Sequence, residues 1–526
     1  MKSYILKKDY EDVSLEGREN FRITSGNSVI AYKNCFFSYI QRHAPIISID
    51  ETIDKEELRR ILEAPRAILI SVNKTPRTEL LRGVRLRHMT LSLGTLLCPQ
   101  YLYEICGLSS AETHLLSTQF QAQRLQQVLG AYFPHTAVFP PRIDTDFFVP
   151  PAKRQRADAR KRQGIHQGET HIVYAGRWLV DKGICQILRM LEVWHPDRCV
   201  FTFAGNVDEE QNISNTHYDH RGFGTFLAGE VSRCRNKNVR FQKAKKPEEL
   251  RELFWSADMF INPSIQPDEN FGVTAREAVA CGVPVVTTNF CGLTPLADAM
   301  PWGGVDTYPT RHGSRFSLRA LYQTLRSALK DTGGVSSTFL RSYVLKECDE
   351  ETARKTVAES LRRVSSMPAE LPRDRNEVER DIKRVLWEKA DTRALSLVIE
   401  GRRKKTEGLY NGVDGEALSS YDGECLHHAF PLVQGLYSSA TAPPVAAKDS
   451  KWRGFFRIGL WEKERAVVEF SFPAWRFRKY TATEWSSLTG CLIQEKGGDS
   501  IFMPRGKKQL SLVQGLIDAG YLVSDF

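Results

Sequence analysis

The densest run of chemistry-bearing residues lies at 259–288: Met-Phe-Ile-Asn-Pro-Ser-Ile-Gln-Pro-Asp-Glu269-Asn270-Phe271-Gly272-Val273-Thr-Ala-Arg-Glu277-Ala-Val-Ala-Cys-Gly-Val-Pro-Val-Val-Thr-Thr. An apolar strand runs into a loop bearing Pro and Gly, then into a helix that starts near Gly272. The first turn of such a helix offers unpaired backbone N–H groups and the positive end of its dipole, which suits a phosphate. Glu269 stands just before the helix and can accept from sugar hydroxyls. Glu277, one to two turns inside, can accept from both hydroxyls of a ribose. A second element reads Tyr174-Ala-Gly176-Arg177-Trp-Leu-Val-Asp-Lys182-Gly183. A strand ends in Gly-Arg, and five residues on a Lys-Gly opens the next helix. Arginine gives a bidentate contact and lysine a point charge, so together they would flank a diphosphate. Open α/β sheets bind ligands beyond the carboxyl ends of their strands, where these residues fall.

Each of these patterns has a plainer reading. Two glutamates eight positions apart occur by chance on surface helices, and a basic pair can be no more than solvated. The register of Gly272 and of Ala-Cys-Gly-Val-Pro-Val-Val behind the pair favours the functional reading. Elsewhere the balance tips the other way. His217 and His220 lack a third spaced ligand for a metal, and Cys281 and Cys291 read as packed thiols. The acid-free run Arg233, Arg235, Lys237, Arg240, Lys243, Lys245 and Lys246 reads as a solvated face, with contact to a nucleotide or acceptor phosphate as its rival. Basic and aromatic residues interleave at 451–461 and 472–480. That pattern can stack bases or sit at a membrane surface, but half-buried strands with a wet face look the same.

The elements that must position the site alternate. After the turn Thr24-Ser25-Gly26 a helix is expected over 27–42, with Asn27 or Ser28 as its cap. Apolar runs at 45–49, 67–71, 89–93 and 136–140 alternate with helical stretches at 55–63 and 118–129, which implies a parallel sheet covered on both faces. A second series follows, with strands at 171–175, 199–204, 239–241, 259–262 and 283–287. Helices are expected at 182–194, 247–256, 273–281, 317–330 and 350–364, then one long charged helix at 376–400. The remainder is strand-rich, ending in helices near 482–494 and 507–519. The expected fold class is α/β: two Rossmann-like domains facing across a cleft, at 1–150 and 151–365. A helical linker at 366–404 and a smaller α+β domain at 405–526, whose ending could close a winged-helix-like unit, complete it.

The 526 residues carry a formal charge of +10. Residues 166–400 balance at 32 of each sign, whereas 151–165 hold six cations against one acid. Half of the surplus therefore sits in one basic segment, expected to be a hinge beside the cleft where an anionic donor enters. That weakens a nucleic-acid or membrane reading of the whole surface. The start shows no apolar signal core, and no stretch approaches 18 apolar residues. Eleven scattered cysteines without a C-x-x-C pair read as a reduced interior. A cytoplasmic location is expected, with peripheral contact at the inner membrane surface left open.

The pair Glu269/Glu277 with Phe271-Gly272, the G-R-x4-K-G element at 176–183, the lead-in at 248–264 and Pro140-Pro-Arg-Ile-Asp144 together resemble the retaining glycosyltransferases of family 4 (glycosyl transferases group 1), which have the two-Rossmann GT-B architecture. The likeness spans about 20–365 and is specific at 171–290. It implies that Arg177 and Lys182 hold a donor diphosphate beside Gly176. It implies that Glu269 orients the sugar, that Asn270 and the amides of Phe271, Gly272 and Val273 meet sugar and phosphate, and that Glu277 binds the ribose. Arg177, Lys182 and Glu269 would form the catalytic set, with no cofactor beyond the nucleotide-diphosphate sugar, UDP- or GDP-linked, and no metal. A glycosidase would instead oppose two carboxylates across the bond. Family members carry a Gly-Gly loop near the amino terminus and a His or Asp after a middle strand. Here there is a single Gly26 with Asn27, and Gly94-Thr95 stands where the polar residue is expected. Gly26, Asn27 and His88 are the acceptor-side candidates. The acceptor would be a glycan or glycolipid precursor, then a protein or peptide recruited by the last domain, then a nucleic acid. A non-catalytic nucleotide-sugar-binding scaffold is the alternative of a different class.

Overall fold

The computed structural model describes residues 2–6, 28–49, 53–72, 81–92, 112–130, 132, 135–194, 196, 198–207, 223–234, 238–266, 269–310, 313–331, 334–389, 438–439, 443–460, 465–470, 476–496, 499–518 and 522–524. Gly26, Asn27, Gly94, Thr95, His217 and His220 lie outside them, as do 390–400 of the expected charged helix.

Three sheets organise the described residues. The first holds β1 (Lys2–Leu6), β2 (Ile46–Ile49), β3 (Ala67–Val72), β4 (His88–Leu91), β5 (Glu112–Leu116) and β6 (Thr136–Val138). They lie in the order β2-β1-β3-β4-β5-β6, every pair parallel. The second holds β7 (Thr170–Ala175), β8 (Cys199–Ala204), β9 (Val239–Gln242), β10 (Met259–Asn262), β11 (Val285–Asn289), β12 (Val305–Thr310) and β13 (Gly313–Phe316). Its order is β13-β12-β11-β10-β7-β8-β9, with only β13 antiparallel. Read from the other edge, the six parallel strands follow the Rossmann order, which reverses between β7 and β10. Strands such as Cys-Val-Phe-Thr-Phe-Ala are buried along their whole length because helices cover both faces.

The expectation of a second domain running to 365 is corrected by the helix Glu350–Ser366. Its stripe Ala353, Val357, Leu361 and Val364 joins the core of the first sheet, against Ile68, Ile70, Met89 and Leu91. The repeat of three and four residues makes one apolar face, which packs beside the helix Ser28–Gln41 on the same face of the first sheet. The helix Arg375–Lys389 also lies with this domain, against the helix Gln119–Leu129.

The basic segment is not beside the cleft entrance. It forms the helix Lys153–Arg162, which packs on the helix Pro247–Ser256. Arg156 and Arg160 both pair with Asp258, at 2.5 and 2.8 Å, and Arg162 pairs with Glu252 at 3.1 Å. Asp258 immediately precedes β10, so these cations brace the amino edge of the second sheet, opposite the carboxyl edge that carries the candidate residues.

The third sheet is antiparallel: β14 (Trp452–Leu460), β15 (Arg465–Phe470), β16 (Arg476–Thr481), β17 (Leu492–Lys496) and β18 (Asp499–Phe502), in the order β16-β15-β14-β18-β17, with β19 (Leu522–Ser524) also on β14. The helix expected over 482–494 ends at Thr489, because the chain turns at Gly490-Cys491 and re-enters as β17. With the helix Lys507–Asp518 it encloses a small core of Trp452, Leu488, Phe502, Val513, Leu516 and Leu522. Ser438 bridges Phe290, and Ser439 exchanges hydrogen bonds with Thr307, so this part of the chain is stitched to the edge of the second sheet. Among the described residues no helix is long and apolar enough to cross a membrane.

Candidate functional site

The second sheet's order reverses between β7 and β10, and the loops leaving those two strands carry the candidate residues. Beyond β7 come Gly176 and Arg177, whose side chain is exposed, then the short 3-10 turn Val180–Lys182. Gly183 follows with φ +79°, and a Cβ there would stand 2.4 Å from the carbonyl oxygen of Pro263. Only glycine lets the turn descend this close to the β10 loop. Ile265 N–H donates to the Asp181 carbonyl at 2.8 Å, locking the two loops together.

That packing delivers Lys182 to Glu269. The ammonium donates to Oε2 at 2.6 Å, with both side chains largely buried. Burial works against the Glu269 charge. Lys182, by charge and hydrogen bond, then Ser264 and Arg177, outweigh it and hold the carboxyl below its ordinary range. Asp181, wholly buried in the same turn, is pushed up to about 6 by burial despite Lys182 beside it. The helix Val273–Ala280 begins at Gly272, whose φ of +71° favours glycine, and an added Cβ there would stand 2.4 Å from the end of the Leu293 side chain. Asn270 and Phe271 are buried just before it and Val273 is half-buried at its start. Glu277 lies 8% exposed, and burial alone raises its carboxyl to about 8. A buried neutral carboxyl is the cheaper state until a donor of hydrogen bonds arrives.

The structure thus brings Lys182 and Glu269 into contact and sets Gly176, Arg177, Asn270, Phe271, Gly272, Val273 and Glu277 along one sheet edge. His88 stands apart. It is the first residue of β4 and wholly buried, hydrogen-bonded through Nε2 to Ser71 Oγ at 2.6 Å and through Nδ1 to Glu112. Its ring belongs to the sheet interior and cannot face an acceptor there.

Three contributors were not singled out in the sequence. Gln121, near the start of the helix Gln119–Leu129 after β5, donates to Asn270 Oδ1 at 3.1 Å and to Cys291 Sγ at 3.4 Å. The carboxyl edges of the two parallel sheets therefore face each other across the cleft. Arg276 donates to the Phe271 carbonyl and forks onto Glu347 through Nε and Nη2 at 2.6 Å each. A lone arginine in an otherwise small-residue helix was the available clue to the second contributor, and a polar residue on the buried face of 119–129 the clue to the first. The third, Glu347, has none.

Comparison with known proteins gives concordant results. Residues 155–298 match the model of the family described as Glycosyl transferases group 1. A D-inositol 3-phosphate glycosyltransferase of Paenarthrobacter aurescens is 28% identical over 235 residues, 43% of this chain and 52% of that protein. One of Corynebacterium jeikeium is 31% identical over 199 residues, 36% of this chain and 43% of that protein. The chain thus spans about half the length of the curated relatives it matches. Among solved structures, Anabaena Alr3699/HepE in complex with UDP aligns over 69% of this chain and 100% of its own, at 13% identity and TM-score 0.48. The matched stretch begins in the helix Lys153–Arg162 and runs through β7 to β11 of the second sheet, and the first sheet forms a second parallel α/β unit beside it.

Proposed function

We propose that this protein transfers a sugar from a nucleoside-diphosphate sugar to an acceptor hydroxyl, with retention at the anomeric carbon. The observation that carries the reading is the Lys182–Glu269 pair at the sheet's switch point, beside the amino end of the helix that bears Glu277. Lys182 and Arg177 meet the diphosphate, and the amides of Phe271 to Val273 meet phosphate and sugar. The charge that develops on the leaving diphosphate is spread over two cations and a helix end, so no protein acid and no metal is needed. Glu269, already held ionised by Lys182, accepts from sugar hydroxyls, and Glu277 accepts from the ribose. The two carboxylates clamp the donor rather than opposing each other across the scissile bond.

The acceptor is proposed to be a glycan or glycolipid precursor, bound against the first domain in a cytoplasmic setting. The relatives named for D-inositol 3-phosphate favour including phosphorylated polyols in the same panel. Release of nucleotide from UDP- and GDP-sugars, with and without such acceptors, tests the reading. Wild type should turn over one donor, and Lys182→Ala should lower kcat by about 10²–10³. A wild type that binds a donor as Lys182→Ala and Glu277→Ala do, with turnover in none, would make the chain a nucleotide-sugar-binding scaffold.

A further inference from the structure

We infer that Arg276 and Glu347 are positioning residues that couple the donor loop to the crossover between the two parallel-sheet domains, so that domain closure sets the loop's shape. The inference rests on reading the cleft as a sugar-nucleotide site.

Arg276 is wholly buried, and a buried guanidinium persists only when its donors are used. Besides the fork on Glu347, Nη1 donates to the Phe271 carbonyl and lies 3.3 Å from that of Gly292, while the cation sits 3.8 Å from the centre of the Phe271 ring. These carbonyls belong to the two loops that enclose Glu269: Phe271 lies two residues after it, and Gly292 N–H donates to its carbonyl at 3.0 Å. One cation therefore fixes both sides of the loop that carries the sugar carboxylate.

Glu347 is the last residue of the helix Ser337–Glu347. Two residues later Asp349 caps the helix Glu350–Ser366, whose apolar face lies in the core of the first domain. The chain's earlier passage between the domains runs alongside. Arg142 reaches Glu350 at 3.3 Å, and Arg341 donates to the carbonyls of Thr145 and Phe148 at 2.9 and 3.1 Å. A rotation of one domain against the other turns about these two passages, and Glu347 stands at one of them. Its rigid fork on Arg276 carries the displacement into the Phe271 and Gly292 carbonyls. From across the cleft Gln121 holds Asn270, so the loop is gripped from the first domain and from the hinge at once.

The test uses the full chain and three readouts: UDP and GDP binding by calorimetry, UDP-glucose and GDP-mannose turnover, and solution X-ray scattering with and without the nucleotide that binds. Glu347→Asp and Arg276→Lys keep the charges, and so the fold, while breaking the two-point fork. Glu347→Gln is the harsher variant. Nucleotide should contract the wild type. In Glu347→Asp and Arg276→Lys that contraction should vanish, nucleotide affinity should weaken by about 5- to 150-fold through the lost coupling, and kcat per folded molecule should fall with it. Variants that contract and turn over like wild type would overturn the inference. So would a loss of Tm and nucleotide affinity with kcat per folded molecule unchanged, which marks a structural role only, or a wild type that binds nucleotide without contracting. A wild type that neither binds a nucleotide nor turns over a donor sinks the site reading itself, and the inference with it.

Discussion

Glu277 is the residue on which the pH behaviour of the site turns. Burial raises its carboxyl from 4.5 to about 8, so in the unliganded protein it is neutral near pH 7. In the proposed role it accepts from two ribose hydroxyls, which favours the ionised form, so nucleotide binding at pH 7 should release a proton. Calorimetry in buffers of different ionisation enthalpy would read that release, and Glu277→Gln should abolish it. The sign for stability follows from the same shift. The unfolded chain ionises this group from about 4.5 upward while the folded one resists until about 8, so ionisation opposes folding increasingly across that window. The Tm of Glu277→Gln should therefore gain on wild type between pH 5 and pH 8. Loss of the charge-assisted hydrogen bonds in Glu277→Ala should weaken nucleotide binding by about 1.5–3 kcal/mol. The residues proposed to hold the donor could be placed together from the sequence because Glu269, Gly272 and Glu277 sit in one contiguous stretch whose spacing states its geometry. Gln121 and Glu347 could not, since their partners lie 149 and 71 positions away.

Among the elements, two glycine-bearing turns set the donor edge, and they differ in what surrounds them. At Gly272 an added methyl meets the end of the Leu293 side chain, which can move. At Gly183 it meets the backbone carbonyl of Pro263, which cannot. Both pay about 1–2 kcal/mol for the left-handed backbone, so Gly183→Ala should lower the urea midpoint more than Gly272→Ala. Equal losses would mean that the Pro263 loop yields. The strand β5, Glu-Thr-His-Leu-Leu, was illegible because it carries no alternation of apolar and polar residues. Its Glu112 and His114 are wholly buried, and the Glu112 carboxylate lies between His114 on its own strand and His88 on the neighbouring one. Burial opposes the Glu112 charge, but the two histidines outweigh it and hold the carboxyl at about 2. Removing that partner by Glu112→Leu should cost roughly 3–5 kcal/mol, read from denaturant midpoints.

At the scale of the molecule, the surplus charge changes meaning. Arg156, Arg160 and Arg162 are engaged by Asp258 and Glu252 on the amino edge of the second sheet, so they are not a free basic track. Oligonucleotide affinity should accordingly lack the loss of about 10³–10⁵ between 50 and 200 mM salt that six to ten phosphate contacts would give. A slope that steep would restore nucleic acid as a partner. The alternation of strands and helices revealed two α/β domains, but not where the first one ends, because its closing helix lies two hundred residues downstream of its last strand. That return has a consequence for how the chain is made. The second sheet and its helices are complete once residue 347 has been synthesised, whereas the first domain waits for 350–366 to cover its core. At about 5–20 residues per second, the span from 139 to 366 keeps the amino-terminal strands without one of the two helices that cover this face for roughly 11–45 seconds. The later-encoded domain is thus free to fold first on the ribosome, and the earlier one is completed after it.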